Sequence, residues 1–64
     1  MGREDEKLIA TYVGKYGHYE IREVGGLGTT YRIYRDREHW KSYSAVNSAV
    51  DAILRYDSSA KSTN

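Results

Sequence analysis

The side chains of this sequence that are best suited to a function are its Tyr, Trp and Arg residues, which suit binding to a partner better than catalysis. The 64 residues include seven Tyr and one Trp but no Phe. Because Phe would fill a core without any polar atom, a preference for Tyr favours rings that rest on apolar surface with the hydroxyl at water or at a partner. Tyr, Trp and Arg are also enriched at protein interfaces. The composition favours a binding domain; half-buried core rings with hydroxyls at the rim are the alternative for each Tyr.

The residue types give little indication of a catalytic site or a metal site. His18 and His39 are the only histidines, and there is no Cys. No carboxylate cluster stands at ligand spacing around either histidine, so we expect no metal site and no cofactor. The serines fall in a helix cap, on a helix exterior and in the tail, where no base is placed to activate them. We therefore predict no catalytic residues and no enzymatic activity.

A glycine-rich segment, Gly25-Gly26-Leu27-Gly28, has the composition of a phosphate-binding loop. It lacks the Gly-Lys-Ser/Thr ending and the following helix N-terminus on which phosphate binding depends. A mobile hairpin loop is the better interpretation. Leu27 would then present an apolar side chain at the tip, where it can contact a partner.

The charges are nearly balanced, with ten basic and nine acidic residues and a net charge of +1. This balance predicts no strong general attraction to nucleic acid or to an anionic membrane. Arginines beside aromatic rings could nevertheless contact phosphates while the rings stack on bases. Asp36 and Glu38 interrupt the basic series, so we favour a solvated hairpin of mixed charge and regard nucleic-acid binding as possible but not favoured. The series consists of Arg32, Arg35, Arg37 and Lys41.

Composition divides the chain into three parts. Residues 1–7 are charged and contain no apolar stretch of a signal peptide, and no segment is long and apolar enough for a membrane span. Residues 58–64 are small and polar. We expect a flexible N-terminus over 1–7, a single α+β domain over 8–57 and a disordered tail over 58–64, in the cytoplasm and away from membranes. A core this small, without disulfide or metal, makes a homodimer possible.

One helix is predicted near the C-terminus. Ser44 is a suitable N-cap, and apolar residues then recur at helical spacing. Asn47, Asp51 and Arg55 fall on the opposite side. The predicted apolar face consists of Val46, Ala49, Val50, Ile53 and Leu54.

Strands are predicted ahead of the helix. Residues 18–24 and 30–35 alternate in polarity and flank the glycine-rich loop, which indicates a hairpin. A second turn over 36–38 leads to a short strand over 39–43. Residues 8–13 are β-branched and aromatic, which favours a strand followed by a turn over 14–17, although an amphipathic helix ending at Gly14 is the alternative. The resulting fold class is α+β: a small antiparallel β-meander of three or four strands with one C-terminal helix packed on one face.

Alternation then assigns side chains to the two faces of the sheet. If Tyr19 and Ile33 face the helix, Arg22, Arg32 and Tyr34 face away from it. Trp40 would join them, because Tyr43 should turn inward just before the helix. We therefore predict a partner-binding surface on the open sheet face. Its residues are Arg22, Arg32, Tyr34 and Trp40, together with Leu27 in the loop. The alternative is that Trp40 belongs to the core and the strand parity is one residue off.

Three segments carry a resemblance to a group of small proteins. Tyr19-Glu20-Ile21-Arg22, residues 31–36, and Tyr43-Ser44 with the helix that follows resemble orphan proteins of phages and prophages, in which Tyr-rich strands precede a capped helix. The resemblance covers roughly residues 18–56. It implies a phage-borne accessory protein that binds and blocks a host protein or complex in the bacterial cytoplasm, as the anti-CRISPR inhibitors do. Many of those inhibitors are acidic mimics of nucleic acid. This chain is not acidic, which favours occlusion of a protein surface.

Overall fold

A computed structural model describes residues 6–63, which form one antiparallel sheet and one helix. The strand order is β4-β3-β2-β1-β5, so the first four strands form a meander and the fifth adds to its β1 edge. The predicted α+β meander with one helix is confirmed. In chain order the elements are β1 (Glu6–Gly14), β2 (Gly17–Val24), β3 (Thr30–Arg35), β4 (Glu38–Tyr43), α1 (Val46–Tyr56) and β5 (Lys61–Ser62).

The segment over residues 8–13 is a strand, as favoured by its β-branched and aromatic side chains. It pairs with β2 up to Gly14, which lies opposite Gly17 across a two-residue turn of Lys15 and Tyr16. Gly17 has φ of 147°, a conformation that L side chains rarely adopt. A tight hairpin therefore projects Lys15 and Tyr16 from the end of the sheet.

The two remaining hairpins also lie where the sequence predicts them. Ile21 and Ile33 are directly opposite each other in β2 and β3. Between β3 and β4, Asp36 and Arg37 both have positive φ, 51° and 74°, which matches the right-handed twist of a two-residue hairpin. The Asp36 carboxylate accepts a hydrogen bond of 3.0 Å from the backbone amide of His18, which fixes this turn against β2.

The core lies between the sheet and α1, which contacts β2, β3 and β4. Ala49 and Ile53 are the fully buried helix residues, and Val50 is half-buried. Leu54 is 39% exposed, so the prediction that it belongs to the buried face is wrong. The sequence places Leu54 beside Ile53 on the helix, and only packing decides which of them faces the sheet. The buried cluster consists of Tyr19, Ile21, Ile33, Ala49, Ile53 and Ala60.

The helix begins one residue later than predicted. Its N-cap is Ala45, with φ of −142° and ψ of 145°, and no side chain caps the first turn. Ser44 is therefore not the N-cap. At the other end the Asp57 amide donates a hydrogen bond of 2.7 Å to the carbonyl of Ile53, and the chain then leaves the helix.

The chain termini differ from the predicted flexible segments. The prediction of a disordered tail is wrong for residues 58–63, because Lys61 and Ser62 pair with Val13 and Tyr12 of β1. The amide of Thr63 also donates to the carbonyl of Thr11 at 3.0 Å. At the start of the chain, Glu6 and Lys7 belong to β1, whereas residues 1–5 and 64 lie outside the described residues.

Candidate binding surfaces

The open sheet face carries three of the predicted site residues, as expected from the alternation. Arg22 lies directly opposite Arg32, and Glu20 lies opposite Tyr34. Their neighbours in sequence, Ile21 and Ile33, are fully buried on the side of α1. The guanidinium of Arg22 lies 6.0 Å from the ring centroid of Tyr34. The structure thus brings Arg22, Arg32 and Tyr34 together on the face away from the helix.

The charges on this open sheet face are already compensated within the chain. Arg22 donates two hydrogen bonds, of 2.9 and 3.1 Å, to one carboxylate oxygen of Glu20. Arg32 forms a salt bridge of 3.4 Å with Glu6. A depression of about 380 Å³ on this face is lined by groups of both signs: Glu6, Glu20, Arg22, Tyr34 and Arg37. A partner would have to compete with internal ion pairs for Arg22 and Arg32.

Trp40 does not lie on the open sheet face, and the prediction that placed it there is wrong. Ile33 pairs with Lys41 and Tyr34 pairs with His39, so Trp40 is the extra residue of a β-bulge. A bulge re-aims the side chain of its extra residue and breaks the alternation. The Trp40 ring lies 5.9 Å from that of Tyr19 and packs half-buried against the core.

Leu27 is separated from the other predicted site residues. It is fully exposed in the loop between β2 and β3. That loop follows the pairing of Val24 with Thr30, whereas Tyr34 lies near the opposite end of the same hairpin. Leu27 therefore cannot act as part of one compact surface with Tyr34 or Trp40.

A second surface, on the helix side of the sheet, combines exposed rings with cations. The Tyr56 ring lies 5.5 Å from the Tyr16 ring and 5.1 Å from the Trp40 ring, measured between centroids. Tyr16 is 50% exposed and Tyr56 is 46% exposed. We call this surface the aromatic–cation strip. It consists of Tyr16, Trp40 and Tyr56 with Lys15, Arg35 and Lys41.

Each ring of the aromatic–cation strip has a cation over it. The Lys15 ammonium lies 5.6 Å from the centroid of Tyr16, and the Lys41 ammonium lies 5.1 Å from that of Trp40. The Arg35 guanidinium lies 5.4 Å from the Tyr56 centroid and also donates a hydrogen bond of 2.8 Å to the Tyr56 hydroxyl. Within residues 6–63, none of these three cations forms a salt bridge with a carboxylate. Beside its rings the strip therefore carries three cations whose charge no ion pair within residues 6–63 compensates, while Asp36 acts on Arg35 only through space.

Asp57 holds together the segments that carry the aromatic–cation strip. Its side chain is buried, with 1% exposure, directly after Tyr56. One carboxylate oxygen accepts hydrogen bonds from the Tyr16 amide at 2.7 Å and from the Tyr19 hydroxyl at 3.0 Å. The other accepts from the Ser59 hydroxyl at 2.6 Å and from the Ser59 amide at 3.2 Å. The β1–β2 turn, β2 and the end of α1 are thus fixed to one group.

The ionisation of this buried pair follows from these bonds. Desolvation alone would raise the pKa of the Asp57 carboxyl, but the hydrogen bonds from Ser59, Tyr16 and Tyr19 outweigh it and hold the pKa well below its usual range. Burial and then the hydrogen bond to Asp57 raise the pKa of Tyr19 to about 12. Near neutral pH the pair is a carboxylate that accepts a bond from a neutral phenol.

The sequence predicted a surface of Tyr, Trp and Arg side chains on the open sheet face and did not predict the aromatic–cation strip. Tyr16 lies in a two-residue turn, where side chains project from the sheet. The sequence predicts this turn over residues 14–17, so the exposure of Tyr16 could have been inferred from it. Tyr56 and Asp57 end the helix, and nothing in their spacing shows that they meet the β1–β2 turn. The contact arises from the path of the chain over the sheet.

Comparison with known proteins adds no relative: no protein family, curated protein or solved structure matches this chain. Over residues 6–63, no group of three or more His, Asp or Glu side chains could hold a metal ion. In the same range no helix has the length and apolar character needed to cross a membrane.

Proposed function

We propose that this protein is a non-enzymatic module that binds another protein through the aromatic–cation strip. The observation that carries the proposal is the pair of Tyr16 and Tyr56, which are about half exposed and contact each other beside Trp40. Tyr, Trp and Arg dominate the binding energy of protein interfaces when they cluster. The strip gathers all three residue types.

Rigidity supports the same assignment. The backbone of Tyr16 is bonded to Asp57, and the hydroxyl of Tyr56 is bonded to Arg35. Side chains that are ordered before binding lose less conformational entropy when a partner docks. Tyr has only two side-chain torsions to fix, so these rings are efficient anchors.

The open sheet face is the weaker candidate. Its two predicted arginines already pair with Glu20 and Glu6, so a partner gains little net charge interaction there. Tyr34 is half-buried, and within residues 6–63 its ring contacts are with Arg22 and His39 alone. We therefore place the binding site on the aromatic–cation strip.

The resemblance of residues 18–56 to small phage proteins supports a more specific role. In this proposal the protein is a phage-borne accessory factor that occludes a surface of a bacterial host protein or complex, such as a defence complex of the kind that anti-CRISPR proteins inhibit. The near-neutral charge supports occlusion over mimicry of nucleic acid.

Affinity capture from bacterial lysate, with mass spectrometry of the bound proteins, tests the proposal. The tagged protein is compared with the double variant Tyr16→Ala/Tyr56→Ala and with the matched open-face variant Arg22→Ala/Tyr34→Ala. We expect a partner that the wild type and the open-face variant retain and the strip variant loses. Circular dichroism melts establish that both variants are folded. A partner lost only by the open-face variant would contradict the assignment to the strip.

A further inference from the structure

We infer that the aromatic–cation strip takes an acidic segment of its protein partner, an extended stretch of chain with Asp or Glu side chains. This inference rests on the proposed function and specifies the chemistry of the partner at that site. It follows from three features of the strip: its uncompensated charge, the orientation of its rings and its size.

The positive charge of the strip favours an anionic partner. Lys15, Arg35 and Lys41 each lie over a ring rather than against a carboxylate. The nearest acidic residue in sequence to Arg35 is Asp36. Its charge acts on Arg35 through space, but its carboxylate forms no ion pair with that guanidinium and accepts a hydrogen bond from the His18 amide. A carboxylate from outside can therefore approach these cations without displacing an internal ion pair. Arg22 and Arg32 on the open sheet face offer no such opportunity, because each already pairs with a glutamate.

The orientation of the rings favours carboxylates over nucleic-acid bases. Planes of neighbouring rings are inclined by 54° and 55°, so the strip does not form a series of parallel platforms. Each ring also has a cation over it, where a base would have to stack. Carboxylates can contact these cations as they stand, and the positive edges of tilted rings attract them further.

The size of the strip fits a short peptide segment. Ring contacts of 5.5 and 5.1 Å in series can be covered by about three residues of extended chain, at about 3.3 Å per residue. Acidic side chains at alternate positions lie on one face of such a chain and would then reach cations at both ends of the strip.

Trp40 provides a direct readout, because it is the one tryptophan of the chain and it lies in the strip. The probes are a capped peptide in which glutamates alternate with leucines, the same peptide with glutamine for glutamate, and a short oligothymidylate. We expect saturable changes in Trp40 fluorescence with the acidic peptide, weaker at high salt, and none with the glutamine peptide.

Charge variants locate the binding. Lys15→Gln/Lys41→Gln removes two cations and keeps every ring, whereas Lys7→Gln/Arg37→Gln removes the same charge from exposed positions outside the strip. We expect the first variant to weaken binding of the acidic peptide by about fivefold or more and the second to leave it nearly unchanged. Equal weakening by both variants would mean general charge attraction and would overturn the inference.

Three results with the peptide and oligonucleotide probes would also contradict binding of an acidic segment. Equal binding of the glutamine peptide, tighter binding of oligothymidylate, or no fluorescence change with any probe would each overturn the inference. Its failure differs from that of the proposed function. If a partner captured from lysate is lost by Tyr16→Ala/Tyr56→Ala but retained by Lys15→Gln/Lys41→Gln, the strip is a protein-binding site and only its preference for acidic segments is wrong.

Discussion

The hydroxyl of Tyr19 donates a hydrogen bond of 3.0 Å to the carboxylate of Asp57, which joins the centre of the sheet to the residue that follows the helix. Both side chains are almost fully buried, with exposures of 0% and 1%. Because the same carboxylate oxygen accepts from the Tyr16 amide, this contact also positions one ring of the aromatic–cation strip. The buried pair that stabilises the fold therefore also positions the proposed binding surface.

Asp57→Asn should destabilise the protein and do so in a pH-dependent way. The side-chain NH2 of the new asparagine would face the hydrogen-bond donors of Tyr16, Tyr19 or Ser59, which now donate to the carboxylate. We expect the melting temperature to fall by about 5 °C or more at pH 7. The folded pKa of Asp57 is depressed, so its contribution is present above the unfolded value of about 4 and is lost as the pH falls below it. The difference in melting temperature between wild type and variant should therefore shrink as the pH falls from 7 to 2. The exposed Asp51→Asn is the control and should change little.

Tyr19 should make the protein sensitive to alkali. Its folded pKa is raised to about 12, above the usual value of 10, so its stabilising contribution is complete below pH 10 and is lost as the pH rises towards 12. Tyr19→Phe removes this ionisation and should flatten the alkaline limb of a plot of unfolding free energy against pH. An unchanged alkaline limb would show that other groups control it.

Gly14→Ala should destabilise the fold by about 1–3 kcal/mol through overpacking. A Cβ added at Gly14 would lie 2.6 Å from Cγ of Asp57, and the carboxylate is held in place by its hydrogen bonds. Gly28→Ala is the matched control, since a Cβ there meets nothing within 4 Å. Urea unfolding of both variants measures the difference. Equal stabilities would mean that the β1–β2 turn can move away from Asp57.

The buried face of the helix can be tested with two adjacent residues. Ile53 is fully buried, whereas its neighbour Leu54 is 39% exposed. Ile53→Asp should abolish the cooperative melt, because an unpaired buried carboxylate costs more than so small a domain can lose. Leu54→Asp should keep it. A cooperative melt for Ile53→Asp would show that the helix does not pack as described.

Much of the fold follows from local sequence patterns. Alternation in β2 and β3 correctly assigns Tyr19, Ile21 and Ile33 to the core and Tyr34 to the other face, because both strands are regular. The same reasoning fails at Trp40, since a bulge in β4 changes the alternation by one position. A bulge depends on the register between two strands, which the sequence of one strand does not contain.

The tail shows a second limit of sequence reasoning. Residues 58–63 are small and polar, and their composition predicts disorder. They are ordered by specific polar contacts: Ser59 bonds to Asp57 and to the Lys15 amide, and β5 pairs with β1. The bond between Ser59 and Asp57 is local, but the bond from the Lys15 amide to the Ser59 hydroxyl has a sequence separation of 44 and β5 pairs with the distant β1, so no local pattern reveals these two contacts.

The binding site is tested most directly by the affinity of the captured partner for the wild type, the strip variant and the open-face variant, measured by isothermal titration calorimetry. Tyr16→Ala/Tyr56→Ala should weaken binding by about 30-fold or more, as expected for two anchoring rings that together supply about 2 kcal/mol. Arg22→Ala/Tyr34→Ala should bind within about threefold of wild type, since surface changes outside an interface have small effects. Near-wild-type affinity of the folded strip variant, together with a large loss for the open-face variant, would contradict the account.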